Sequence, residues 1–159
     1  MRLHPYGRAG RLLFRAPVLL YRLGLGWLLG SRFMLLTHVG RKTGRRHSTV
    51  VEVVGHEPST DTFYVVSGFG RRADWFRNVL RNPGVEITVG GRRARARAYL
   101  PPEEEAMPVF RAFCTAHPTE LRIMLRLFGC PPVEGEEDMR AFLKRYPVVA
   151  FRVESAKNL

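Results

Sequence analysis

The sequence predicts an α+β fold, an antiparallel sheet with helices at both ends of the chain. Three observations carry this. Short β-rich runs separated by turn-forming residues fill the stretch from Phe33 to Leu100. Val85–Val89 and Arg92–Leu100 are joined by Gly90-Gly91, the two-residue turn of an antiparallel hairpin. Residues 101–146 read as helical, opening on Pro101-Pro102-Glu103 and broken at Cys130-Pro131-Pro132.

At 159 residues the chain is the length of one domain and can bury a substantial core. Apolar residues at 45% and aromatics at 11% exclude an intrinsically disordered chain. Two cysteines, Cys114 and Cys130, are too few for a secreted disulfide framework, and no CxxC spacing offers a zinc site. Reduced cysteines, a cytoplasmic protein and no metal are therefore expected.

The charge is uneven. Net charge is +12, and residues 1–51 hold ten basic residues and no acid. Ten of the twelve net charges thus sit in the first third, which points to a localised anionic partner. Nucleic acid, an anionic membrane surface and a phosphorylated small molecule all fit that description.

Residues 1–32 read as a basic amphipathic helical segment preceding a domain of residues 33–159. Arg15 and Arg22 interrupt the apolar run, so it falls short of a membrane span. Arg8, Arg11, Arg15 and Arg22 fall on one helical face, and Pro17 breaks the segment or starts its second piece. Such a helix either rests on anionic lipid or packs on the core with its arginines in water.

Phe33–Thr37 reads as the first strand, followed by the basic turn Gly40-Arg41-Lys42-Thr43-Gly44-Arg45-Arg46-His47 and a strand over Val50–Val54. Glu57-Pro58-Ser59-Thr60-Asp61 has turn chemistry, and Phe63–Ser67 is a third strand ending in Gly68-Phe69-Gly70. Residues 74–80 read as a helix capped by Asp74 and stopped by Asn82-Pro83-Gly84. Counting back from Gly90-Gly91 sets Glu86 opposite Arg95. It puts Arg93, Arg95 and Arg97 on one face, with Ala94, Ala96, Ala98 and Leu100 on the other. Tyr146–Val153 is the last strand.

Two glycine-bearing turns hold the chemistry. In Gly40–His47 the glycines admit close approach of an anion, and Lys42, Arg45 and Arg46 supply charge. The same residues also suit an ordinary solvated turn, and the frame of a Walker A loop is missing. Gly68-Phe69-Gly70-Arg71-Arg72-Ala73 fits G-x-G-x-x-A, but the hairpin that follows excludes a dinucleotide-binding βαβ unit. These glycines are expected to let a planar ring lie against backbone. Ser48 and Thr49 beside His47 form no nucleophile–base set, and His38, His56 and His117 read as isolated.

Gly40-Arg41-Lys42-Thr43-Gly44, Ser67-Gly68-Phe69-Gly70, Trp75-x-x-Asn78 and Asn82-Pro83, in this order, resemble the deazaflavin-dependent nitroreductase family. The resemblance runs from about Phe33 to Tyr99 and implies a split β-barrel related to flavin-binding reductases. It implies that reduced coenzyme F-420, a deazaflavin, is used to reduce quinones, nitro compounds or other electrophilic organics. It also implies a protein that can sit peripherally on the inner face of the cell membrane, with no nucleic-acid partner.

Residue by residue, the resemblance implies that Lys42 and the basic residues after it (Arg45, Arg46, His47) hold the cofactor phosphate, with Thr49 in the same binding stretch. Ser67 and the Gly68–Phe69–Gly70 backbone would border the ring, with Ser67 bonding the edge where the hydride leaves; at a strand end Ser67 also suits a turn cap. Trp75 and Asn78 would form and brace the groove. His47 stands where many relatives have Arg, and Val50-Val51 where many have Pro-Leu, so Arg46 is a candidate to take over the phosphate contact. Tyr6, Tyr21 and Trp27 are candidates to wall an acceptor pocket.

Coenzyme F-420 is a polyanion, which suits positive charge gathered at one turn. The cofactor carries the hydride and the protein supplies placement, so no catalytic triad is needed. FMN in the same fold is the rival cofactor. A non-enzymatic basic module for nucleic acid or anionic lipid is the rival class.

Overall fold

The computed structural model describes residues 19, 22–23, 30–127 and 129–155. Most of the expected N-terminal helix, and with it Tyr6, Tyr21 and Trp27, lies outside the described residues. Among the described residues no helix is long and apolar enough to cross a membrane.

Six strands close into an antiparallel barrel: β1 (Phe33–Val39), β2 (Arg46–Glu57), β3 (Thr62–Val66), β4 (Gly84–Val89), β5 (Arg92–Tyr99) and β6 (Val148–Val153). The order around the barrel is β1-β2-β3-β6-β5-β4, and β4 pairs back to β1 through Met34–Val89 to Thr37–Glu86. Around it lie α1 (Asp74–Arg81), α2 (Glu103–Ala116), α3 (Pro118–Leu127) and α4 (Glu136–Arg145). The α+β split-barrel expectation holds, and the rejection of a βαβ unit holds with it.

Burial follows what each strand faces. On β5 the inner Ala96 and Ala98 are buried, while Arg93, Arg95 and Arg97 are exposed. Strand β3 is buried on both faces, and its unbroken run Thr62-Phe63-Tyr64-Val65 shows no alternation. Its inner side joins Met34, Leu36, Ile87 and Phe151 in the barrel interior, which Phe76 and Val79 of α1 close. Its outer side packs with β6 under α2, α3 and α4, around Phe110, Phe113, Leu125 and Phe142.

Several boundaries differ from the sequence reading. Strand β2 runs twelve residues rather than five and shifts register between Val53 and Gly55. The helical stretch breaks at His117 as well as at Cys130, because Pro118 restarts it. Tyr146 ends α4 instead of opening β6, and Leu100 lies past β5, 42% exposed. Asp74 is the first residue of α1, not its cap; Ala73 holds that position without a side-chain bond. The predicted Glu86–Arg95 register is observed. Glu86 Oε1, however, pairs with Arg93 at 2.6 Å and Arg46 at 3.3 Å. Cys114 and Cys130 form no disulfide.

Candidate functional site

A cleft of about 440 Å³ opens at one mouth of the barrel, lined by residues of the 38–49 hairpin and of 69–78. The β1–β2 register places His38 opposite His47 and Leu36 opposite Thr49. Along β2 the inward residues grade from exposed at the mouth (His47) to buried within (Val51), whereas on β1 His38, Leu36 and Met34 are all buried.

The basic turn is tied at both ends. Gly40 N–H donates to the Arg45 carbonyl (2.8 Å), Gly44 N–H to the Gly40 carbonyl (2.9 Å), and Arg45 N–H to Thr43 Oγ1 (3.3 Å). Helix α1 then clamps it. Asn78, 5% exposed, accepts on Oδ1 from Arg41 N–H (3.1 Å) and from Arg41 Nη1 (2.9 Å). The Arg41 guanidinium also donates to Asp74 Oδ1 at 3.2 Å. With Arg41 thus engaged, Lys42 is the exposed cation on the cleft with no ion pair among the described residues.

The opposite wall is apolar. Phe69 is 52% exposed over the cleft and Ala73 is buried beneath it. Trp75 stands edge-on to Phe76 (6.2 Å) and tilted against Phe151 (6.4 Å), which fixes its ring on the barrel core. One side of the cleft thus suits an anion and the other a planar ring.

Of the residues expected at the site, Lys42, His47, Thr49, Phe69, Trp75 and Asn78 line the cleft; Arg45, Arg46, Ser67, Gly68 and Gly70 do not. Arg46 is neighbour to His47 on β2, so strand alternation points it to the other face, where it pairs with Glu86. Arg45 is exposed at the turn's far end. Ser67 is fully buried, and its hydroxyl donates to the Gly70 carbonyl at 2.7 Å, which braces the bend. Gly70 answers a different demand from ring approach. Its φ is +64°, and a Cβ there would lie 2.8 Å from the Arg145 carbonyl at the end of α4.

Sequence reading missed three contributors: His38, Arg41 and Asp74. His38, read as isolated, is 4% exposed in the cleft wall, and its Nδ1 lies 3.1 Å from Asn78 Nδ2. Its signal was parity, since Met34, Leu36 and His38 continue one inward row. Burial, reinforced by His47 and opposed by Asp74, lowers the His38 imidazole from 6.5 to about 4. It is therefore neutral at pH 7.

A family model described as F420H(2)-dependent quinone reductase matches residues 14–122. Among solved structures, an F-420-H2-dependent reductase (FDR-A) is 18% identical over 77% of this chain and 94% of that one, with a TM-score of 0.51. A putative pyridoxamine 5'-phosphate oxidase from Listeria innocua is 16% identical over 86% and 94%, with a TM-score of 0.53. An FMN-binding, pyridoxamine 5'-phosphate oxidase-related protein from Nostoc punctiforme is 15% identical over 94% and 80%, with a TM-score of 0.51. At these identities the solved structures share the fold.

Proposed function

Because this chain belongs to the family of quinone reductases that depend on reduced coenzyme F-420, we propose that its cleft holds that cofactor for transfer of a hydride to a quinone. Nitro compounds and other electrophilic organics are further acceptors. The observation that carries the reading is the two-sided cleft, with Lys42 unpaired among the described residues on one wall and Phe69 and Trp75 on the other.

Reduced coenzyme F-420 supplies a hydride, and a quinone that takes up this hydride and one further proton becomes a hydroquinone. The chain's own residues bind and orient. Lys42 holds the phosphate, with His47 and Thr49 alongside. Asn78 fixes the turn through Arg41, and Trp75 and Phe69 provide the apolar surface for the ring. Ser67 and Gly70 act one step back, shaping the bend that carries Phe69. A basic N-terminal segment resting on anionic lipid would bring the cleft close to membrane-dissolved quinones.

Anaerobic mixing of the protein with reduced coenzyme F-420 and menadione tests this. Cofactor absorbance should return to the oxidised form in proportion to quinone consumed. Absence of turnover with every quinone and nitroarene tried would overturn the reading. Parallel titration with FMN separates the rival cofactor, which lacks the anionic glutamate tail.

A further inference from the structure

We propose that His38 is a cofactor-contacting residue whose Nε2–H donates a hydrogen bond to an uncharged acceptor, a ring carbonyl oxygen of the deazaflavin in the cleft. The ligand's identity rests on the functional reading above; the tautomer of the donor rests on geometry.

Asn78 decides where the His38 proton sits. Its Oδ1 is occupied by Arg41 N–H and Nη1, so the group facing His38 is the amide nitrogen. An amide nitrogen only donates, so His38 Nδ1 must accept, and the neutral ring carries its single proton on Nε2. Arg41 thus sets the tautomer of His38 through one amide.

Nε2–H then has no hydrogen-bond partner among the described residues, yet it is not sealed away, because no buried side-chain nitrogen is left unsatisfied. The ring lies between two cleft-lining side chains, bonded to Asn78 and stacked on His47 with centroids 5.9 Å apart. His38 is only 4% exposed and lines the cleft, and a donor on so covered a ring without a protein partner is suited to a ligand.

Depth selects the part of the ligand that reaches it. Phosphate and carboxylate groups lose hydration at high cost and stay near the exposed Lys42, whereas an uncharged ring can descend to His38. The planar wall of Trp75 and Ala73 lines the same cleft.

Three variants and one spectrum test this. Glutamine at 38 keeps a donor near the Nε2 position; asparagine keeps an acceptor for Asn78 but lacks the deep donor; leucine lacks both. Coenzyme F-420 titrations should give affinity within about threefold of wild type for His38→Gln and a loss of about tenfold for His38→Asn and His38→Leu. Nitrogen-resolved NMR of the free protein should show His38 protonated on Nε2. Equal affinities for His38→Gln and His38→Asn, or a proton on Nδ1, overturn the proposal and leave the functional reading intact. Wild-type protein that binds no coenzyme F-420 overturns both.

Discussion

Asn78 and Arg41 are joined twice: one amide oxygen accepts the Arg41 backbone N–H at 3.1 Å and its guanidinium at 2.9 Å. A single side chain on α1 thereby fixes both the backbone and the side chain of a residue in the β1–β2 turn. Asn78→Ala should cost about 1–3 kcal/mol of stability, because Arg41 N–H and His38 Nδ1 lose partners in a buried setting. Chemical denaturation measures this, and cofactor affinity should fall in the same variant. A variant as stable as wild type would mean that the turn holds itself.

Lys42 behaves differently. It is exposed and makes no ion pair among the described residues, so Lys42→Ala should leave the unfolding midpoint unchanged. Affinity for coenzyme F-420 should nevertheless drop by about 1–3 kcal/mol, the scale of a charged hydrogen bond. The salt dependence of binding should flatten in the variant, as isothermal titration at two ionic strengths would reveal.

Gly70 is constrained twice, by a φ of +64° and by the Arg145 carbonyl where a Cβ would lie. Gly70→Ala should destabilise the protein by about 1–3 kcal/mol. Thermal unfolding measures the loss. An alanine variant of wild-type stability would show that the bend can relax away from α4.

His38 gives stability a pH dependence of defined sign. Its pKa is about 4 folded against 6.5 unfolded, so the unfolded chain binds more protons between those values. His38's contribution is complete above about pH 6.5 and declines as pH falls toward 4. His47 and Asp74 face the same ring and move the lower bound in opposite directions. Between pH 7 and 4, His38→Gln should lose less stability than wild type. Parallel unfolding curves for the two proteins would contradict the assignment.

The sequence disclosed most where the signal was local. Gly90-Gly91 set the hairpin register, and alternation along 92–99 separated arginines from alanines because one face of β5 is in water. The full length of β2 was hidden, since its first residues are exposed and polar like a turn. Closure of β4 onto β1 joins residues about fifty positions apart, a pairing no local pattern encodes. At the site, motif residues on the turn and on α1 were legible by type. Parity separated Arg46 from His47 and brought in His38. At Ser67 a strand-end hydroxyl suits both a bend and a ligand, and its burial and bond to Gly70 show the bend.

Helix α1 seals the barrel with Phe76 and Val79 and grips the binding turn with Asn78, all within four consecutive positions. Anything that rocks this short rod loosens core and grip together. Evolution therefore cannot retune the hydrophobic plug without also shifting ligand residence time, and a ligand that tightens the grip should protect the plug's amides from hydrogen exchange.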